Sequence, residues 1–140
     1  MLNQIALGTT ITFTSIVFGA VMWWALIRLL RRFEGWIRRP PYALKTISVI
    51  VFVVVWTMLI TTFGVWLWAV VFSSLSIFAT MEEAVYFSLV AYTTLGLGDV
   101  VVPKEWRLLG GMIGANGFLM FGVLTAMLTD TLRDMRRMRW

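Results

Sequence analysis

No charged side chain occurs from Met1 to Ile27, from Thr46 to Met81, from Ala84 to Gly98 or from Leu108 to Thr129, and this spacing constrains the fold more than any other feature. A helix needs roughly 20 mainly apolar residues to cross the hydrocarbon core, so the first, second and fourth stretches are long enough and the third is not. A short apolar piece between two spans predicts a re-entrant segment. Its backbone must be buried in protein or line water, because lipid leaves N–H and C=O groups unsatisfied. Composition agrees: 60% of the residues are hydrophobic and 14% charged, against about 45–50% apolar in a soluble domain.

The charges that remain are segregated. Arg28, Arg31, Arg32, Arg38, Arg39 and Lys45 stand against Glu34 alone between the first two spans, and the tail from Asp130 is rich in Arg. Both segments are expected in the cytoplasm, which leaves the N-terminus outside with Glu82, Glu83, Asp99, Lys104, Glu105 and Arg107. Trp23, Trp24 and Trp36 fall near the inner face and Trp66, Trp68 and Trp106 near the outer one, as interfacial belts require. The first stretch has no basic n-region and too long an apolar core for a signal peptide, so residues 1–30 are expected to stay as a helix. The chain has no His and no Cys. That removes Ser-His-Asp and Cys-His nucleophiles, the usual zinc and iron-sulfur ligands and disulfides, and no enzyme is expected.

Thr80-Met81-Glu82-Glu83 has the spacing of a capping box ahead of the apolar run Ala84–Tyr92, which predicts a short helix over 81–92. Thr93-Thr94-Leu95-Gly96-Leu97-Gly98-Asp99 follows directly. Two glycines alternating with apolar residues suit an extended strand whose successive carbonyls point the same way, with the positive-φ positions given to Gly. Such a ladder of oxygens can replace the hydration shell of a monovalent cation, and the Thr94 hydroxyl can add a ring at its inner end. The C-terminal end of the preceding helix carries partial negative charge toward mid-membrane, which helps further.

Thr94-Leu95-Gly96-Leu97-Gly98-Asp99 resembles the potassium channel signature TVGYGD, and the Leu variant is similar to second-repeat filters of tandem-pore channels. The resemblance covers about residues 45–133. It implies an all-α membrane protein with three transmembrane helices per chain, a re-entrant pore helix and an extended selectivity filter, assembled as a homotetramer. The divisions expected are an additional first helix (1–30), a cytoplasmic interfacial amphipathic segment (28–45) and a pore domain (46–140). Within the last, an outer helix covers 46–72, the pore helix 81–92, the filter 93–99 and the inner helix 106–132. K+ is implied as the permeant ligand, with no organic cofactor. Its ligands would be oxygens of Thr94, Leu95, Gly96 and Leu97, supported by Thr93, Gly98 and Asp99.

By the same resemblance Gly117 stands at the gating hinge of the inner helix, and Phe118, Phe121 and Thr125, which share one helical face, line the cavity below the filter. Close helix packing is the preferred reading for most of Gly110, Gly111, Gly114 and Gly122, and at Gly117 it weighs equally with the hinge. The sequence departs from the family pattern at Leu97, which lacks the filter tyrosine's hydroxyl, and at Val90, where some members carry an acid. The filter is therefore expected to be held mainly by packing. Weak cation selectivity, or a non-conducting accessory role, stays open beside potassium conduction.

Leu29, Leu30, Phe33, Trp36 and Ile37 fall on one helical face with Arg31, Arg32, Arg38 and Arg39 around them, before Pro40-Pro41 stops the helix. This predicts an interfacial helix facing lipid, with anionic lipids as candidate partners. The expected location is the plasma membrane, the inner membrane in a bacterium.

Overall fold

The computed structural model describes residues 1–37 and 39–137, the last four by backbone alone. Arg38 lies outside the described residues. The elements are α1 (Leu2–Arg32), α2 (Glu34–Ile37), α3 (Tyr42–Ser74), α4 (Met81–Tyr92), a 3-10 turn (Lys104–Trp106) and α5 (Arg107–Arg137). No strand occurs among the described residues. Three helices, α1, α3 and the Lys104–Arg133 stretch, are long and apolar enough to cross a membrane. The protein is an integral membrane protein of the all-α class.

α4 starts where its cap dictates. The Thr80 hydroxyl accepts from the Glu83 N–H at 3.2 Å, and the Glu83 carboxylate reaches back to the Ala79 N–H at 3.2 Å. The helix is then clamped by rings: Phe87 meets Phe72 of α3 edge-on at 5.4 Å and Phe78 of the connecting loop at 5.1 Å. Trp68, Phe72, Ala84, Tyr92, Leu109 and Ile113 form the main core, which joins α3, α4 and α5. Trp68 is fully buried in that core and is not an interfacial Trp, because its side of α3 faces the pore helix. Trp56, at mid-span, is covered by α1, whose Met22 carbonyl accepts from its indole N–H at 3.1 Å.

α1 packs along both α3 and α5. Its buried stripe is Gly8, Ile11, Ser15, Gly19 and Leu26, mostly small residues that let helix backbones approach. A Cβ at Gly8 would press on Met112 of α5, and one at Gly19 on Met120. Phe18 stacks on Phe63 of α3 with centroids 3.6 Å apart. At one end the Gln4 amide donates to the Glu105 carbonyl. At the other, Leu26 and Leu30 pack with Val49, Val53 and Leu128. The N-terminus therefore shares an end of the bundle with the loop before α5, and Arg31, Arg32, Arg39 and Lys45 collect at the opposite end.

The interfacial helix differs from expectation. α1 continues unbroken to Arg32, so Arg31 and Arg32 close a spanning helix, and after a turn at Phe33 only one further turn, α2, precedes Pro40. The apolar periodicity of Leu29 and Leu30 belongs to α1, and nothing in the sequence before Phe33 breaks its backbone ladder. Arg39 is exposed in the link to α3. The outer helix runs over Tyr42–Ser74, beginning directly after Pro41, and the inner helix runs on to Arg137, because no Gly or Pro follows Gly122 to stop it.

Candidate functional site

The backbone after α4 turns back on its own helix. The Thr94 N–H donates to the Ala91 carbonyl at 3.0 Å, and the Leu95 and Gly96 N–H groups converge on the Val90 carbonyl at 3.0 and 3.3 Å. The last turn of a helix leaves carbonyls without intrahelical partners, and here the filter's own donors satisfy them. The N–H groups of Thr94, Leu95 and Gly96 are thereby turned inward. Among the described residues, no carbonyl of Thr94, Leu95, Gly96, Leu97 or Gly98 accepts a hydrogen bond.

Left-handed residues alternate along this stretch: φ is +59° at Thr94, +60° at Gly96 and +78° at Gly98, while Leu95 and Leu97 keep negative φ. Alternation of hand is the backbone pattern that lets successive carbonyls turn to one side. The unexpected member is Thr94. Positive φ was expected of the glycines alone, and a β-branched residue there is strained by about 1–3 kcal/mol. Its hydroxyl has no partner among the described residues, whereas the neighbouring Thr93 hydroxyl donates to the Leu89 carbonyl at 2.7 Å. Thr93 thus serves the helix, and Thr94 presents its oxygen.

Within the chain, packing does not hold the filter. Leu95 and Leu97 are 64% and 59% exposed, so their side chains meet little of their own protomer. The segment is fixed at its inner end by the backbone bonds to α4. At its outer end the Tyr86 hydroxyl donates to the Asp99 carboxylate at 2.5 Å. The sequence alone offers Asp99 no evident partner, and Tyr86 emerges only from the structure. The available signal was that Tyr86 lies one helical turn before Val90, on the same face.

The two groups shift each other. The hydrogen bond from Tyr86 holds the Asp99 carboxyl below the usual carboxylate range, helped by the backbone N–H groups of Asp99 and Val100. The bond to Asp99, then desolvation and the carboxylate's charge, push the Tyr86 phenol above its ordinary value. The lowered Asp99 value contributes stability that is present above the ordinary carboxylate value and lost as pH falls through the lowered one. The raised Tyr86 value contributes stability that is complete below the ordinary phenol value and lost as pH rises through the raised one. The tie is expected to hold throughout the range between the ordinary carboxylate and phenol values, roughly pH 4 to 10, and to fail only as pH falls through the lowered Asp99 value or rises through the raised Tyr86 value. Tyr86→Phe should remove it at every pH, which single-channel recordings would register as more frequent closures at neutral pH. Identical closure statistics in the variant would show that Asp99 is held by other groups.

Gly117 meets the pore helix. An added Cβ would lie 1.8 Å from the Tyr92 carbonyl oxygen, whereas Gly122 and Gly111 face open space. Gly110 sits against Val102 and Gly114 near the Ala91 carbonyl. Phe118 is 75% exposed on the other side of α5. Phe121 and Thr125 border a groove shared with Thr57, Met58 and Thr61 of α3, and the Thr125 hydroxyl donates to the Phe121 carbonyl at 2.8 Å.

A family model described as an ion channel matches residues 44–134, which takes in nearly all of α3 and α5 and the whole of α4 and the segment after it. The chain belongs to this ion channel family. The matched region is a two-transmembrane, potassium-channel-like pore unit, and α1 and α2 precede it. No curated protein and no solved structure matches the chain.

Proposed function

We propose that four copies of this chain surround one axis and conduct K+ passively through a filter of Thr94, Leu95, Gly96 and Leu97 oxygens. The observation that supports the reading is the alternation of left-handed Thr94, Gly96 and Gly98, with the N–H groups of Thr94, Leu95 and Gly96 bound to α4. One chain supplies one wall of oxygens, and a dehydrated cation needs oxygens on all sides, so symmetry mates must supply the rest. Neighbouring copies would also cover Leu95 and Leu97. Phe118, Phe121 and Thr125 would line the cavity below, and Asp99 would raise cation concentration at the mouth. Flux from purified protein in liposomes, with reversal potentials under opposed K+ and Na+ gradients and mass measurement in mild detergent, tests this. A reversal potential near that of K+ from a tetramer is expected.

A weakly selective cation channel is the second reading, favoured by the absence of a hydroxyl at exposed Leu97, and equal K+ and Na+ flux would establish it. No flux would point to the accessory role. The charge segregation argues for an external N-terminus and Lys104 and a cytoplasmic Arg32. With no native Cys, single-Cys labelling is clean: Lys104→Cys should react with an impermeant reagent added outside, and Arg32→Cys should be protected. The reverse pattern would invert the orientation.

A further inference from the structure

At the basic end a cavity of about 560 Å³ opens between the close of α1, α2 and the first turns of α3. Its size is within the roughly 300–1,000 Å³ of small-molecule sites. Phe33, Trp36 and Ile37 form one wall, and Val49 and Phe52 of α3 the other. Almost no polar atom faces the space, so water gains little there. The wall is fastened in place by Lys45, whose ammonium donates to the Trp36 and Arg39 carbonyls at 2.8 and 2.9 Å and stands 4.6 Å from the centre of the Trp36 ring.

The surroundings are cationic. Arg31 and Arg32 lie between the lining residues Leu30 and Phe33, and Arg39 follows two positions after Ile37. All three are exposed, and none has an ion-pair partner among the described residues. An occupant must therefore satisfy an apolar chamber and a positive rim together. A soluble anion has no use for the first, and a zwitterionic lipid little for the second. A second copy would bring its own basic end, including Arg133, against like charge.

We propose that this cavity takes one acyl chain of an anionic phospholipid whose phosphate rests against Arg31, Arg32 and Arg39. The chain end sits among Phe33, Trp36 and Phe52, and the lipid bridges α1 and α2 to α3. The family match begins at residue 44, so most of this site, including all three arginines, is built by the part of the chain that precedes the pore unit. The proposal rests on the membrane location alone and is independent of which ion the channel conducts.

Trp36 provides the readout. Full-length protein in uncharged detergent is titrated with phosphatidylglycerol or phosphatidylcholine carrying the same brominated chains, and the Trp36 signal is taken as the difference from Trp36→Phe. Half-quenching is expected at about tenfold less phosphatidylglycerol than phosphatidylcholine, and the combined Arg31→Gln, Arg32→Gln and Arg39→Gln variant should reduce the ratio to about twofold or less. Ser48→Phe should abolish the quenching by filling the cavity. Ser48 is exposed and bonds only to the Leu44 carbonyl of its own helix, so the variant should melt and assemble like the parent. Equal quenching by both lipids would overturn the proposal in favour of ordinary boundary lipid. Competition by glycerol phosphate as strong as by intact lipid would overturn it in favour of a free-anion site. A Trp36 signal that neither lipid quenches would mean a second copy covers the cavity.

Discussion

Gly117→Ala should cost the channel its assembled state before it alters gating. The added methyl would stand 1.8 Å from the Tyr92 carbonyl oxygen and 2.6 Å from its carbon. These are backbone atoms at the end of the pore helix, and they cannot rotate away as a side chain can. Overpacking a well-filled core usually costs roughly 1–3 kcal/mol, and a backbone obstacle puts this site at or above the top of that range in each chain. Relief requires α5 and α4 to separate, which moves Thr93 and Thr94 and so the inner end of the filter. A hinge role predicts otherwise: a tetramer of normal stability with a changed open probability. Thermal melting and mass in detergent distinguish the two. Gly111→Ala is the internal comparison, since its methyl meets nothing within 4 Å in the chain. It should leave stability unchanged or raise it by up to about 1 kcal/mol through helix propensity. If both variants assemble and melt like the parent, the contact with Tyr92 is not a packing constraint.

The contrast between these glycines also shows what was legible in the sequence. Charge-free stretches gave the three spans, and the Thr80–Glu83 cap gave α4 to the residue, because both signals are local. Contacts between distant residues left no such mark. Gly117 and Gly122 look alike in sequence, and only the position of Tyr92 separates them. Tyr86 and Asp99 are joined across the whole filter, so the filter was expected to rely on packing, when within the chain it relies on hydrogen bonds at both ends. The interfacial segment departs from its pattern for the opposite reason. A good local pattern over Leu29–Ile37 predicts one helix, although its first half continues α1 and its second half is a single turn. Even so, the same apolar residues do come together, around the cavity at the basic end. Trp68 carried the composition of a belt residue and the neighbours of a core residue, and only packing against Phe72 and α4 distinguishes the two.

Gly96→Ala is expected to abolish the preference for K+ over Na+ while leaving a tetramer that still conducts. Space is not the obstacle, since a Cβ at Gly96 meets nothing within 4 Å. The obstacle is φ at +60°, where a Cβ costs roughly 1–2 kcal/mol per residue. Thr94 already bears that strain two positions earlier, in the same chain and at nearly the same φ. A second strained residue so close leaves the segment little reason to keep its alternation, and the easiest escape is to flip the peptide between Leu95 and Gly96. That turns one carbonyl ring from the axis and points an N–H toward the ion. The Gly96 N–H must then release the Val90 carbonyl, but the Thr94 and Leu95 bonds to α4 survive, which is why assembly should outlast selectivity. Thr94→Ala should weaken ion binding at the inner end without this loss, because it removes a hydroxyl and leaves the carbonyls in place. Reversal potentials under opposed K+ and Na+ gradients decide the matter. A conducting Gly96→Ala tetramer with the parent's potassium preference would mean that these carbonyls do not select the ion.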